Sequence, residues 1–434
     1  MRADRARSVG AKLTLVALVG ASGWMAAGAA ANPAFVLVRG NHGSYPDSLR
    51  GPLEGLGLPL GPSGFVALLL AASALYLLAL VLAGAIGRRA AVISIVGAHI
   101  AFALGPPLLS SDVFNYIGYA RLEVVHGLNP YEHALDAAPH DAAFPYVGWQ
   151  HSTSAYGPLF TLITLPLAKL SLPASLWALK GLTAAAGLAC VALAAGCARR
   201  LGRDPVATAL FVGLNPIFLV FTVGGAHNDL LMMALVLAGA YLTLGVRREG
   251  LGAVGITAAA ALKTSAGLFL PFAILGARSR LLTLGSALVA AGAAGLVALA
   301  VFGDELFSVV RLLGDEARAG SLHSVPKTLS SITGIDIGVL RPLGTGIALL
   351  VIAVMLARAW RMPSYWLRAA GWATIAVLAT TTYLLPWYLV WLLPLAALSA
   401  GPAAPDGRLT PGDQRVWALA LCAFVIALRV PTIA

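Results

Sequence analysis

Residues 110–158 read SSDVFNYIGYARLEVVHGLNPYEHALDAAPHDAAFPYVGWQHSTSAYGP and form the longest polar interruption in an otherwise apolar chain. The segment contains five acidic residues and four histidines, namely Asp112, Glu123, Glu132, Asp136 and Asp141, and His126, His133, His140 and His151. Binding and catalytic residues lie disproportionately on loops that a rigid scaffold positions. Because such a loop adds nothing to the stability of a membrane protein, we interpret it as the segment that carries the chemistry.

The composition of the whole chain is typical of an integral membrane protein. The chain has 434 residues, a mean hydropathy of +0.85, 59% hydrophobic residues and 11% charged residues, whereas soluble domains are about 25% charged. Apolar runs of about 20 residues recur along the chain, and this is the length that crosses a bilayer as a helix. Backbone exposed to lipid must satisfy its own hydrogen bonds, so the runs predict an all-α polytopic membrane protein.

The net charge of +11 comes from short arginine clusters between the apolar runs. Such clusters, for example at residues 88–89, 199–203 and 278–280, are the positive-inside signature of cytoplasmic loops. We therefore predict a lipid bilayer as the partner of these charges and no nucleic acid. The three cysteines lie in or beside apolar runs, without the spacing of metal ligands or of a disulfide framework.

The same clusters predict how the chain is threaded through the cell membrane. Counting crossings from the basic N-terminus gives about 12–13 transmembrane helices and places residues 110–158 on the extracytoplasmic face. To keep every basic cluster cytoplasmic, residues 157–171 have to form a half-span. Residues 251–277 have to form two short helices that meet near Lys263. The polar side chains then gather on the outer face.

We predict one membrane-embedded domain over residues 1–434, with a catalytic outer loop at 108–157 and a second outer loop at 303–332. The catalytic loop begins with DVFNYIGYARLEVVHG, which repeats apolar residues at helical spacing. This pattern predicts an amphipathic helix that lies at the membrane interface. Its apolar face comprises Val113, Tyr116, Ile117, Ala120 and Val124.

Asp112 is the first candidate catalytic residue. It stands where an apolar run ends and the predicted interfacial helix begins. Ser110, Ser111 and Asp112 are all residue types that cap helices, so a purely structural role is one interpretation. The other is a general base at the membrane surface, which deprotonates an acceptor hydroxyl as it attacks an activated carbon.

Lys263 is the second candidate, because it lies in the apolar context AAAALKTSAG. An ionisable residue at membrane depth is a functional candidate, and an ammonium group there suits a lipid phosphate. The structural alternative is a lysine at a helix end that extends to the interface.

His227, Asn228 and Asp229 follow two glycines at a predicted outer helix start. They could cap the helix, but three adjacent polar groups also suit the recognition of sugar hydroxyls. A metal site lacks a third ligand at zinc-like spacing. The aromatic run at residues 383–391 is typical of an interfacial belt, or alternatively stacks on a sugar or a prenyl chain.

The sequence contains no P-loop and no GxGxxG motif after a strand, so no nucleotide site is predicted. A transferase without such a site needs a donor that is activated in another way. A lipid phosphate sugar meets this need and resides in the membrane. We predict no cofactor, and the sequence leaves the metal requirement open.

The chain resembles the GT-C superfamily of polytopic glycosyltransferases. More closely, it is similar to actinobacterial polyprenol-phosphomannose-dependent alpha-1,6-mannosyltransferases. The matching segments, in order between residues 110 and 395, are SDVFNYIGYARL with GLNPY after it, WQHSTSAYGPLF, GGAHNDLLMMALVLAG, LKTSAGLFLPF and LPWYLVWLLPL.

This resemblance implies a GT-C-like bundle in which Asp112 is the base. It implies inversion at the anomeric carbon, so that a beta-linked mannosyl phosphate gives an alpha-linked product, and it places Lys263 and Arg121 near the donor phosphate. His227, Asn228 and Asp229 would shape the sugar site. Tyr116, Trp149 and Tyr156 complete the predicted substrate-binding residues.

We therefore predict a membrane enzyme that transfers mannose from a polyprenyl-phosphate mannose donor to a mannoside or lipoglycan acceptor on the extracytoplasmic face and forms alpha-1,6 linkages. Two alternatives stay open at this stage. One is a transferase for another polyprenyl-phosphate sugar, such as arabinofuranose or glucose. The other is a transporter or flippase of lipid-linked sugars, which needs polar residues along a path through the bilayer midplane.

Overall fold

The computed structural model describes residues 2–33, 45–245, 248–307, 314, 320–321, 324–399 and 412–433. Within these ranges the chain is almost entirely helical and contains no strand. The α-helices are α1 (Arg2–Ala31), α2 (Asp47–Arg50), α3 (Pro62–Val81), α4 (Arg88–Leu104), α5 (Asp112–His126), α6 (Pro158–Thr164), α7 (Leu172–Arg200), α8 (Pro205–Gly213), α9 (Asp229–Gly245), α10 (Glu249–Leu262), α11 (Phe269–Gly276), α12 (Arg280–Phe302), α13 (Val325–Thr333), α14 (Ile337–Arg361), α15 (Trp366–Thr380), α16 (Leu393–Ser399) and α17 (Gln414–Ile433).

Among the described residues, six helices are long and apolar enough to cross a bilayer, namely α1, α3, α7, α12, α14 and α17. A seventh crossing results if α8 and the π-helical segment Ile217–Val223, which meet at 51°, form one bent span. Five further apolar segments have 10–17 residues, shorter than the roughly 20 residues of a straight span. The structure thus confirms an all-α polytopic protein. The predicted number of about 12–13 crossings stays a prediction, because it depends on how these short segments are counted.

The two segments predicted to be short are short in the structure. Helix α6 continues as a 3₁₀ segment only to Lys169, and twelve residues of such helix extend about 20 Å, less than the bilayer core. The run at 251–277 breaks at Lys263, whose backbone is extended (φ −150°, ψ 118°) between α10 and the next 3₁₀ segment. Both breaks lie where the sequence predicted them.

Helix α5 begins at Asp112 as predicted, but its surroundings differ from those of an interfacial helix. Residues 113–120 are all buried, on every face of the helix. The helix packs against α6, α7 and the 3₁₀ segments Leu135–Ala137, Phe144–Tyr146 and Leu165–Lys169. Only the last turn, including Val124, is exposed. The polar loop that follows α5 therefore folds back over it, and the helix belongs to the interior of the protein.

The predicted second outer loop at 303–332 is described only in part. Asp304–Phe307 forms a 3₁₀ turn, and α13 begins at Val325. Residues 308–313, 315–319 and 322–323 lie outside the described residues. The division of the chain into domains and outer loops stays a prediction.

Candidate active site

A cavity of about 420 Å³ lies where α5 begins. Volumes of about 300–1,000 Å³ are usual for small-molecule sites. Four parts of the chain line it: residues 109–112, the loop between 148 and 156, the break at 263–265, and the aromatic segment at 381–391. Tyr119 of α5 and Arg429 of α17 complete the lining. The cavity thus gathers residues that are far apart in sequence.

The structure divides the predicted site residues into three groups. Asp112, Trp149, Tyr156 and Lys263 line the cavity. Tyr116, His227, Asn228 and Asp229 are fully buried and form a layer behind the cavity wall. Arg121 does not line the cavity. Its Nε donates to both carboxylate oxygens of Asp141 at 2.9 Å, and its Nη1 donates to the Ala168 carbonyl.

Asp112 is the carboxylate that opens into the cavity. It is the first residue of α5, its side chain is 14% exposed, and its N–H donates to Ser110 Oγ at 3.2 Å. The helix starts without a side-chain cap bond. The capping interpretation of Asp112 therefore lacks its hydrogen bond, although a carboxylate in the first turn still benefits from the helix dipole.

His227 lies behind Asp112 and is held by stacking. Its Nδ1 is 3.4 Å from Asp112 Oδ2, and its ring stacks on Trp387 with centroids 3.7 Å apart at 16°. Neither ring nitrogen has a hydrogen-bond partner among the described residues, and the same holds for the amide group of Asn228. Buried polar groups without partners are rare. The layer behind the cavity wall therefore contains an unusual number of polar groups without partners.

Two strained residues shape the backbone around this layer. Leu109 and Ala226 adopt positive φ angles of 57° and 56°, a conformation that is uncommon outside glycine. The Leu108 N–H donates to the Gly224 carbonyl at 3.1 Å and joins the two segments. Lys180 of α7, which is buried, donates to the Gly224 carbonyl at 3.0 Å and to that of Pro106 at 3.2 Å. The sequence analysis did not single out Lys180.

Asp229 and Lys263 form a buried ion pair at the cavity wall. Lys263 Nζ lies 2.8 Å and 2.9 Å from the two carboxylate oxygens of Asp229, and Trp391 Nε1 donates to Asp229 Oδ1 at 2.6 Å. Asp229 is fully buried, whereas Lys263 is 17% exposed. The ammonium group also lies 4.8 Å from the centre of the Tyr388 ring. The pair fixes the break after α10 against α9 and the aromatic segment.

Tyr116 lies between the two aspartates. Its hydroxyl accepts a hydrogen bond from the Asn228 N–H at 3.4 Å, and its ring contacts that of Tyr156 edge-on at 4.7 Å. Burial, followed by the charges of Asp112 and Asp229, raises the pKa of Tyr116 well above its ordinary value. The phenol therefore stays protonated and uncharged next to the carboxylates.

The loop that carries Trp149 is tied to α5 by hydrogen bonds. The Asn115 side-chain oxygen accepts from the N–H groups of Gly148 and Trp149 at 3.0 Å and 3.3 Å. The Tyr119 hydroxyl donates to the Ser152 carbonyl at 2.7 Å. These bonds hold Trp149 at the cavity, where its side chain is 40% exposed.

Arg121, Asp141 and His126 form a separate cluster on the far part of α5. His126 Nε2 lies 2.8 Å from Asp141 Oδ2. Burial acts to raise the pKa of Asp141, but hydrogen bonds from Arg121, the Ala143 N–H and His126 outweigh it and lower that pKa below its ordinary value. The cluster fastens the loop after α5 to that helix and holds the Arg121 guanidinium group outside the cavity lining.

Within the described ranges, no group of three His, Cys, Asp or Glu side chains has the geometry to hold a metal ion. Asp112 has His227 as its neighbour, and Asp229 has Lys263, so each carboxylate faces a nitrogen. The cavity can present a base, aromatic faces and hydrogen-bonding groups to a polar ligand. Arg429, which the sequence analysis did not single out, adds a cation.

Comparison with protein families gives two matches along the chain. The family model described as Alpha-(1->6)-mannopyranosyltransferase, N-terminal domain, matches residues 10–278. A second model, described as the MptB C-terminal domain, matches residues 317–432. Asp112 and Lys263 belong to the first match, and Trp387 and Arg429 belong to the second. The cavity is therefore built from both matched regions.

Curated proteins with similar sequences are also named alpha-(1->6)-mannopyranosyltransferases. The chain is 30% identical over 329 residues to alpha-(1->6)-mannopyranosyltransferase A of Mycobacterium tuberculosis, covering 68% of this chain and 62% of that protein. It is 30% identical over 178 residues to the protein of that name from Corynebacterium glutamicum, covering 39% and 35% of the two chains. The matches thus cover less than two thirds of the length of each of these relatives. No solved structure matches the chain significantly.

Proposed function

The chain belongs to the alpha-(1->6)-mannopyranosyltransferase family, and from this premise we propose that it transfers mannose to a glycan in an alpha-1,6 linkage. The proposed donor is a polyprenyl-phosphate mannose. The proposed acceptor is a mannoside or lipoglycan on the extracytoplasmic face of the cell membrane. The relatives' name supports the sugar and the linkage. Two other features support the lipid-linked donor: the apolar helices around the cavity and the lack of a nucleotide motif in the sequence.

The observation that carries the proposal is a carboxylate that opens into an aromatic-lined cavity. In the proposed step, Asp112 accepts the proton of the acceptor hydroxyl while that oxygen bonds to the anomeric carbon. The bond between this carbon and the phosphate oxygen breaks, and its electron pair leaves with the polyprenyl phosphate. A single displacement of a beta-linked donor inverts the anomeric carbon and gives the alpha-linked product.

The other predicted residues take positions around this step. Trp149 and Tyr156 line the cavity next to Asp112 and offer aromatic faces to a sugar. Lys263 lines the cavity from the break after α10, and we propose that it contacts the donor side. His227 and Asp229 act from behind the wall, by holding Asp112, the Trp387 ring and Lys263 in place. Asn228 lies between them in sequence, and its N–H donates to the Tyr116 hydroxyl.

Two alternatives have to be separated from this proposal. Another polyprenyl-phosphate sugar, such as arabinofuranose or glucose, would use the same base and the same leaving group. A transporter of lipid-linked sugars would need polar residues along a path through the bilayer, and it would need no base. The polar groups of this site instead surround one cavity.

The test is a donor panel with purified protein and a mannoside acceptor. Wild-type protein should transfer mannose from polyprenyl-phosphate mannose, and Asp112→Asn should lower the rate by about 100-fold or more, because a positioned base contributes about 10²- to 10⁴-fold. The matched control is Asp136→Asn, which removes an exposed carboxylate of the same loop and should leave the rate unchanged. Full activity of the Asp112 variant would exclude Asp112 as the base. If the wild type transferred only arabinofuranose or only glucose, that sugar and not mannose would be the one carried by the donor.

A further inference from the structure

Arg429 is a cation at the cavity that has no partner among the described residues. It lies near the end of α17, which packs against α15, α16 and the segment Pro386–Trp391. Its Nε is buried and has no hydrogen-bond partner, and no carboxylate of the described residues pairs with its guanidinium group. Arginines near helix ends usually contact the last carbonyl groups or extend to solvent. Arg429 instead contributes to the cavity lining.

The two cations that the sequence predicted for the donor phosphate are both neutralised in the structure. Lys263 is bound to both oxygens of Asp229, and Arg121 is bound to both oxygens of Asp141, away from the cavity. An ammonium group that already has a carboxylate at 2.8 Å offers little net charge to a second anion. A partly buried guanidinium group without a partner is costly unless an anion joins it.

We propose that Arg429 binds the phosphate of the lipid-linked donor. This inference rests on the proposed function, and it names the residue that recognises the leaving group. The planar guanidinium group can donate two parallel hydrogen bonds to phosphoryl oxygens. The negative charge that develops on the phosphate as the anomeric bond breaks then falls on a group that carries no competing carboxylate.

The position of Arg429 fits a phosphate at the membrane end of the donor. It is carried by a candidate spanning helix, and the aromatic segment beside it supplies Trp387, Tyr388 and Trp391 to the same cavity. A prenyl chain can lie among apolar helices while its phosphate reaches this cation. The cavity of about 420 Å³ then holds the sugar between Arg429 and Asp112.

The kinetic test compares Arg429→Gln and Arg429→Lys with the wild type. We expect kcat/KM for polyprenyl-phosphate mannose to fall about 10- to 100-fold in Arg429→Gln, the range for a lost hydrogen bond to a charged group. Arg429→Lys should recover part of this loss, and the KM of the mannoside acceptor should stay unchanged. The control is Arg415→Gln, which removes a guanidinium group at the other end of the same helix, where it pairs with Asp413.

A binding test separates this inference from the proposed function. The probes are a polyprenyl phosphate, the uncharged polyprenol and phosphatidylglycerol, each titrated against the protein in detergent. We expect Arg429→Gln to weaken binding of the polyprenyl phosphate alone.

The possible outcomes bear on different claims. If the variant and the active wild type bound the polyprenyl phosphate equally, the role of Arg429 would be overturned and the proposed function would stand. If Arg429→Gln weakened the binding of the uncharged polyprenol equally, Arg429 would be a structural residue, and the inference would be overturned. If it weakened the binding of phosphatidylglycerol equally, Arg429 would hold a bulk lipid, and the inference would be overturned as well. A wild type that binds the polyprenyl phosphate but transfers no sugar would instead refute the proposed function.

Discussion

The ion pair between Asp229 and Lys263 predicts an asymmetric response to removing its two members. Lys263→Met leaves Asp229 as a carboxylate that is fully buried, and breaking a buried pair in this way typically costs about 3–5 kcal/mol. The carboxylate keeps the 2.6 Å bond from Trp391 Nε1, so we expect a value near the lower end, about 3 kcal/mol.

Asp229→Asn should destabilise less. The amide oxygen still accepts from Trp391, and Lys263 is 17% exposed and keeps the Tyr388 ring at 4.8 Å. We therefore expect a loss of about 1.5–2 kcal/mol, near the lower end of the net contribution of a hydrogen bond to a charged group. In the double variant neither charge is left unpaired, so its loss should be smaller than the sum of the two single losses, with a coupling energy of about 1–3 kcal/mol.

The assay is thermal unfolding of the detergent-solubilised protein at one fixed heating rate, because membrane proteins often unfold irreversibly. Lys169→Met, which removes an exposed lysine, controls for the substitution itself and should leave the midpoint unchanged. Equal unfolding midpoints for Lys263→Met and Asp229→Asn would refute the expectation that the more deeply buried charge is the costlier one to leave unpaired. If the loss of stability in the double variant equalled the sum of the two single losses, the coupling between Asp229 and Lys263 would be refuted.

Two further predictions concern the loop around α5 and the approach of Gly157 to α10. The pKa of Asp141 is depressed in the folded protein, so its contribution to stability is present above the unfolded pKa of about 3.9 and is lost as the pH falls through the folded value. Asp141→Asn should therefore lower the unfolding midpoint at pH 7, and the difference should shrink below pH 4; a constant difference across this range would contradict the assignment. A Cβ at Gly157 would collide with the carbonyl groups of Ala261 and Leu262, so Gly157→Ala should displace the break at Lys263 and lower both the midpoint and mannose transfer. Gly267→Ala meets no atom within 4 Å and should do neither, and equal behaviour of the two variants would show that the close approach is unimportant.

The sequence could predict where helices begin and break near the site. Asp112 and Lys263 are ionisable residues at the ends of apolar runs, and local pattern is enough to mark such places. Their partners could not be predicted in this way. Lys263 and Asp229 are 34 positions apart, and Trp391 and Asp229 are 162 positions apart. Contacts at such separations depend on how the helices pack, and a local sequence pattern does not determine helix packing.

The interior placement of α5 was missed for a related physical reason. Its apolar residues at helical spacing predicted one buried face, and the structure buries residues 113–120 on all faces. The polar residues of the opposite face find partners in the loop, as Asn115 does with the N–H groups of Gly148 and Trp149. A periodicity argument assumes that polar side chains face water. It fails where a loop supplies their hydrogen bonds.

The cavity keeps two charges that face no opposite charge of comparable strength. Asp112 has only the His227 ring at 3.4 Å, and Arg429 has no partner among the described residues. Among the described residues the two form no ion pair with each other, and they are carried by different helices, α5 and α17. Had they met, each would have neutralised the other. A displacement that moves a proton from an acceptor and charge onto a phosphate needs a free carboxylate at one end and a free cation at the other. A carboxylate and a cation that line one cavity without pairing therefore support an enzymatic role for it more directly than either residue does alone.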